Sequence, residues 1–124
     1  MKRVRALIVD DSAVMRQAMT EALAAIPGIA CVTANDGAEG IRRLGAEAFD
    51  IVLTDLNMPV LNGLALVTFI RGQPSLKRLP IVVVTTESAE EDRRRLLGAG
   101  ADAYVVKPIE AETLLAQVRR LVGL

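Results

Sequence analysis

The fold is indicated first by residues 4–12, which read VRALIVDDS. All residues from Val4 to Val9 except Arg5 are apolar, and two aspartates then end the run. Continuous runs of Val, Ile and Leu are typical of parallel strands, which are buried on both faces of their sheet. Four further short apolar runs follow along the chain, at residues 29–34, 49–53, 80–84 and 103–106. The sequence therefore predicts five strands.

The segments between these runs carry apolar residues at helical spacing, as in Met15, Met19 and Leu23. Four residues that favour helix N-caps stand at the expected helix starts: Ser12, Asp36, Asn62 and Ser88. Three glycines stand at the expected helix ends: Gly28, Gly98 and Gly100. Strands and helices thus alternate along the chain, and this order predicts a parallel sheet with helices on both faces. We expect residues 1–124 to form a single doubly wound α/β domain.

The composition limits the classes of function. Hydrophobic residues make up 52% of the chain and charged residues 24%, which excludes disorder. Lys and Arg total 15 and Asp and Glu total 15, so no direct nucleic-acid partner is expected. There is no histidine, which removes the usual general base and zinc ligand, and the single cysteine, Cys31, excludes an internal disulfide. No apolar run approaches the roughly 20 residues of a membrane span, so we expect a cytoplasmic protein without a membrane partner.

Polar side chains follow several of the predicted strands. Asp10 and Asp11 follow the first strand, Asp55 the third, Thr85 ends the fourth and Lys107 follows the fifth. An aspartate after one strand is often only a turn residue, but in a doubly wound sheet ligands bind at the carboxyl ends of the strands, where all of these residues meet. Clustered carboxylates repel one another unless a cation joins them, and an all-oxygen ligand set favours Mg²⁺. With a lysine to pair with phosphate, the pattern predicts a Mg²⁺-assisted phosphoryl site with a carboxylate nucleophile.

Four segments carry a resemblance to a known family: LIVDDS at 7–12, DIVLTDLNMP at 50–59 with Gly63, PIVVVT at 80–85 and GADAYVVKP at 100–108. Together and in this order they resemble the receiver domains of two-component response regulators. Residues 11–16, DSAVMR, look most like the chemotaxis CheY type. The resemblance covers the whole chain, and it implies a flavodoxin-like (βα)5 domain with strand order 2-1-3-4-5.

The resemblance implies a role for each residue of the phosphoryl site. Asp55 accepts the phosphoryl group from a partner histidine kinase, and Lys107, joined to Pro108 by a cis peptide bond, pairs with that group. The implied Mg²⁺ site consists of the carboxylates of Asp11 and Asp55, the backbone carbonyl of Asn57, and Asp10, which orients a bound water. Such a protein is a signalling phosphoacceptor that catalyses only its own phosphorylation and dephosphorylation.

A switch and its tuning residues are implied as well. Thr85 moves to bond a phosphoryl oxygen, Tyr104 moves inward behind it, and a downstream protein then reads the face of the fourth helix, fifth strand and fifth helix. Asn57 and Glu87 flank the path of the hydrolytic water and predict a short-lived phosphoryl group. Thr86 is larger than the residue usual in the family at this position, and a β-branched side chain there narrows access to the pocket.

Several alternatives stay open. The chain starts at Met1 and ends after the fifth helix, which favours a stand-alone receiver of the chemotaxis type, but a receiver cut from a hybrid kinase or transcription regulator has the same sequence features. The acidic residues 90–92 at the start of the fourth helix argue against binding to a flagellar switch. A receiver that binds partners without phosphorylation is a second alternative. A hydrolase of the haloacid dehalogenase type is a third, although it requires an aspartate where Asn57 stands.

Overall fold

The five strands form where the apolar runs lie. The computed structural model describes residues 3–124. The strands are β1 (Arg5–Val9), β2 (Ala30–Ala34), β3 (Ile51–Thr54), β4 (Ile81–Thr85) and β5 (Ala103–Val106). Neighbouring strands are parallel throughout, in the order β2-β1-β3-β4-β5. The predicted fold class and strand order are confirmed.

Five helices alternate with the strands: α1 (Ala13–Leu23), α2 (Gly37–Ala46), α3 (Gly63–Gly72), α4 (Glu90–Ala99) and α5 (Ala111–Val122). Helices α1 and α5 pack on one face of the sheet, and α2, α3 and α4 on the other, each set over its own apolar cluster. Successive residues of β1 enter opposite clusters, since Ile8 belongs to the first and Leu7 to the second, and both are fully buried. The sheet is therefore covered on both faces, as the continuous apolar runs predict.

Three of the four predicted helix N-caps are confirmed. Ser12, Asp36 and Asn62 each accept a hydrogen bond from the backbone N–H three residues further on, at 3.3, 2.8 and 2.9 Å. The prediction for Ser88 is wrong, because the N-cap of α4 is Ala89, which has no side-chain acceptor. The first turn of α4 carries three acidic residues instead, at positions 90–92, and their charges stabilise the helix dipole.

The predicted helix ends are confirmed at one glycine of three. Gly100 directly follows α4 with a φ of 120°, a conformation that glycine adopts at low cost. Gly98 lies inside α4, so that prediction is wrong. Gly28 does not end α1, which stops at Leu23; it turns the chain before β2 instead, with a φ of 77°.

Candidate functional site

The carboxyl ends of β1, β3 and β5 bring three predicted site residues into contact. The Nζ of Lys107 lies 2.8 Å from Oδ2 of Asp10 and 3.3 Å from Oδ2 of Asp55. The lysine side chain is only 9% exposed, so these ion pairs are shielded from solvent. The peptide bond between Lys107 and Pro108 is cis. One ammonium group therefore bridges two carboxylates from different strands.

Both bridged carboxylates are buried and held by a second bond. The N–H of Ser12 donates to Oδ1 of Asp10 at 2.9 Å, and the N–H of Leu56 donates to Oδ1 of Asp55 at 2.7 Å. Asp10 is fully buried and Asp55 is 8% exposed. A buried carboxylate without such partners is strongly destabilising, so the two side chains have fixed orientations. Asp11, by contrast, is exposed to solvent.

A third carboxylate completes an all-oxygen cluster. Asp10, Asp11 and Asp55 each place one carboxylate oxygen so that the three atoms lie within 4.8 Å of one another. Three formal negative charges thus face one ammonium group, and a divalent cation would relieve their repulsion. Hard oxygen ligands of this kind suit Mg²⁺, which takes few carboxylates and keeps several waters. These residues fit the predicted metal.

The loop after Asp55 is shaped by a close approach of two backbones. The N–H of Gly63, the first residue of α3, donates to the carbonyl of Leu56 at 2.8 Å. An ideal Cβ on Gly63 would lie 2.3 Å from the carbonyl oxygen of Asp55, so this approach requires glycine. Within the same loop Val60 is 83% exposed and has a φ of 69°, the left-handed region that β-branched residues rarely adopt.

Glu87 links the residues predicted to switch and to tune the site. Its backbone N–H donates to Oγ1 of Thr85 at 3.3 Å, and its backbone carbonyl accepts from the hydroxyl of Tyr104 at 2.8 Å. Its carboxylate accepts from the side-chain amide of Asn57 at 2.8 Å. Thr85 is fully buried, whereas Thr86 is exposed. One residue therefore joins the predicted phosphoryl site to Tyr104 of β5.

The environment of Tyr104 disfavours ionisation of its phenol. Partial burial raises the pKa of Tyr104 above the usual 10.0, and the negative charges of Asp92, Glu87 and Asp55 raise it further. The charge of Arg95 acts in the opposite direction. The hydroxyl therefore keeps the proton that it donates to the carbonyl of Glu87.

Two shallow grooves mark the face formed by α4, β5 and α5. Their volumes are about 280 and 200 Å³, and Tyr104 and Gln117 line both. Val106 of β5 is 42% exposed beside them. A further groove of about 400 Å³ lies at the end of the sheet away from the carboxylate cluster, against Phe49, Leu76 and Leu121, and no predicted site residue lines it.

Sequence reasoning missed one residue that contacts the site. Nη1 of Arg16 donates to the backbone carbonyl of Asp10 at 2.7 Å. Side chains of a helix lean back toward its N-terminus, so a long side chain four residues after the N-cap Ser12 can reach the turn before the helix. The spacing of Arg16 from the predicted N-cap Ser12 is therefore the sequence feature from which this contact could have been predicted.

Comparison with known proteins gives consistent results. The family model of the response regulator receiver domain matches residues 6–119. Chemotaxis protein CheY1 of Helicobacter pylori is 33% identical over 121 residues, which cover 97% of this chain and 98% of that protein. The gliding motility regulatory protein of Myxococcus xanthus is 39% identical over 116 residues, and this chain, matched over 94% of its length, spans only 15% of that longer protein.

Solved structures show the same fold. The receiver domain of a sensor histidine kinase from Pseudomonas aeruginosa, with a magnesium ion coordinated in its active site cleft, superposes with a TM-score of 0.88 at 28% identity. The superposition covers 99% of this chain and 100% of that one. Among the residues described, no helix has the length and apolar character needed to cross a membrane.

Proposed function

The chain belongs to the response regulator receiver domains of two-component systems, and we propose that it accepts a phosphoryl group on Asp55 from a partner histidine kinase in a Mg²⁺-dependent reaction. Receiver domains are signalling phosphoacceptors, and phosphorylation with Mg²⁺ is standard for them. The observation that carries the proposal for this chain is the bridge of Lys107 between Asp10 and Asp55, beside three clustered carboxylate oxygens.

The nucleophile is a carboxylate oxygen of Asp55. It bonds to phosphorus while the bond from phosphorus to the nitrogen of the donor's phosphohistidine breaks. The N–H of Leu56 and the ammonium of Lys107 hold opposite oxygens of this carboxylate, at 2.7 and 3.3 Å, and so orient it before the reaction. Lys107 then pairs with the transferred group as a point charge. Asp11, Asp55 and the carbonyl of Asn57 would hold Mg²⁺, with Asp10 orienting a bound water, and the ion when bound would supply positive charge to the phosphoryl oxygens.

The switch follows from the bonds of Thr85. A side-chain phosphate adds about −1.5 to −2 charges, and a hydroxyl that donates to it gains about 1.5–3 kcal/mol. The Thr85 oxygen now accepts from the N–H of Glu87 at 3.3 Å, and the expected movement of Thr85 toward the phosphoryl group takes its oxygen away from that N–H. Because the carbonyl of Glu87 also holds Tyr104, the change extends to the face of α4, β5 and α5. A downstream protein binds that face.

The hydrogen bond between Asn57 and Glu87 supports the proposed tuning of phosphoryl lifetime. It places an amide and a carboxylate beside the pocket, and both are polar enough to hold a hydrolytic water. We therefore expect a short-lived phosphoryl group, while the β-branched Thr86 slows access of the donor. The match to a chemotaxis protein over 98% of its length supports a proposed signalling role of the chemotaxis type.

Incubation with acetyl phosphate and Mg²⁺, followed by intact-mass measurement, tests the proposal. We expect a Mg²⁺-dependent gain of one phosphoryl group that is lost in Asp55→Asn. Asp50→Asn is the matched control, because Asp50 precedes β3 as directly as Asp55 follows it. Incorporation that survives Asp55→Asn would refute the assignment of the acceptor. Absence of both phosphate incorporation and Mg²⁺ binding would instead favour a phosphorylation-independent module. Mg²⁺ binding without incorporation would indicate that Thr86 blocks entry of the donor or that a kinase is required.

A further inference from the structure

Arg16 contacts the metal-binding turn without having a role in the proposed chemistry. It lies in α1 and is half-buried, with its guanidinium over the turn between β1 and α1. Its Nη1 donates to the backbone carbonyl of Asp10 at 2.7 Å, a short distance for such a bond. A charged donor to a buried carbonyl stabilises one orientation of that peptide group.

The two aspartates of this turn are held in different ways. Every polar group of Asp10 has a partner: Ala34 for its N–H, Arg16 for its carbonyl, and Ser12 and Lys107 for its carboxylate. The carboxylate of Asp11 has no hydrogen bond or ion pair within residues 3–124. Its position therefore depends on the backbone that carries it.

The link between Arg16 and Asp11 is the peptide group that joins Asp10 to Asp11. That group is planar, so a bond that fixes the carbonyl of Asp10 also fixes the direction of the N–H of Asp11. The same plane contains the Cα of Asp11, so the bond from Arg16 also constrains the position from which the Asp11 side chain leaves the backbone. Arg16 thereby helps to keep a carboxylate oxygen of Asp11 within 4.8 Å of carboxylate oxygens of Asp10 and Asp55.

We propose that Arg16 is a positioning residue for divalent cation binding, acting through the carbonyl of Asp10 on the carboxylate of Asp11. The inference rests on the proposed Mg²⁺ site. The positioning effect and the charge of Arg16 change the affinity for Mg²⁺ in opposite directions. The positive guanidinium by itself repels a cation, so its neutralisation tightens Mg²⁺ binding if charge dominates. Loss of positioning weakens binding.

Isothermal titration of the whole chain with Mg²⁺ distinguishes the two effects. We expect Arg16→Gln to bind Mg²⁺ about tenfold more weakly than the parent, the lower end of the effect of residues that orient metal ligands. Arg16→Lys keeps the charge and one donor, and it should recover much of the loss. The matched control is Arg42→Gln, which removes one positive charge from an exposed position on α2 and should leave Mg²⁺ affinity unchanged.

Each outcome is decisive. Equal or tighter Mg²⁺ binding by a folded Arg16→Gln protein overturns the inference while the proposed metal site stands. A parent chain that binds no Mg²⁺ overturns both. Thermal unfolding without Mg²⁺ shows whether the variants are folded. If Arg16→Gln does not fold, Arg16→Met, which keeps the apolar stem and lacks the donor, must show the same loss of affinity.

Discussion

Replacing Gly63 with alanine tests how closely α3 must approach Asp55, the proposed phosphoacceptor. An ideal Cβ on Gly63 would lie 2.3 Å from the carbonyl oxygen of Asp55 and 2.9 Å from the Cα of Leu56. Both are backbone atoms, which cannot rotate away as a side chain can. Gly63 is not among the glycines with positive φ, so its conformation is open to alanine and space is the obstacle.

The expected loss of stability in Gly63→Ala follows from this close contact. Ordinary contact begins at 3.4 Å, so the start of α3 or the end of β3 must move by about 1 Å. Overpacking of this kind costs about 1–3 kcal/mol, and the higher helix propensity of alanine offsets at most about 0.5–1 kcal/mol. We expect Gly63→Ala to lower the free energy of unfolding by about 1–2 kcal/mol. Displacement of Asp55 from Lys107 should also slow phosphate incorporation at least about tenfold.

Urea unfolding followed by circular dichroism measures the first effect, and intact mass after exposure to acetyl phosphate measures the second. Gly45→Ala in α2 is the matched control, because nothing lies within 4 Å of its ideal Cβ. It should raise the free energy of unfolding by about 0.5–1 kcal/mol and leave phosphate incorporation unchanged. If Gly63→Ala behaves like Gly45→Ala in either assay, the close approach does not constrain the site.

Two other positions give predictions of different kinds. Val60→Gly should raise the free energy of unfolding in urea by about 0.5–1 kcal/mol, because it removes the strain of a β-branched residue at positive φ; a loss of stability would contradict this. Tyr104 is the single tyrosine, so the absorbance of its phenolate reports its titration directly, with an expected midpoint above pH 10.0 that falls in Asp92→Asn. Because the pKa of Tyr104 is raised only in the folded state, the protonated phenol contributes to stability fully below pH 10.0, and this contribution is lost as the pH rises through the folded pKa. A titration midpoint of Tyr104 at or below pH 10.0 would refute this account.

The convergence of Asp10, Asp55 and Lys107 was predictable from the chain because it depends on strand order alone. Parallel strands end at one edge of the sheet, so residues that follow different strands meet there. The contacts that Arg16 and Glu87 make at the site were not predictable. The bond from Arg16 to Asp10 depends on a rotamer, and the bonds of Glu87 depend on the course of a loop.

The errors at helix termini have a related cause. Ser88 is a better N-cap residue than Ala89 by propensity, yet α4 has Ala89 at its N-cap. The N–H of Glu87 donates to Thr85, and its carbonyl and carboxylate accept from the more distant Tyr104 and Asn57. These three bonds determine the path of the chain just before the helix. A local preference worth about 1 kcal/mol does not outweigh three such bonds.

The carboxylate cluster also has a kinetic consequence. Its three acids and one ammonium leave two excess negative charges, which one divalent cation cancels. An anionic phosphodonor that diffuses toward the ion-free pocket is repelled, and one that arrives after the cation is not. We therefore expect an ordered sequence of encounters, with the metal first. Added salt, which screens long-range repulsion, should speed the collision of donor with ion-free protein far more than with the loaded form.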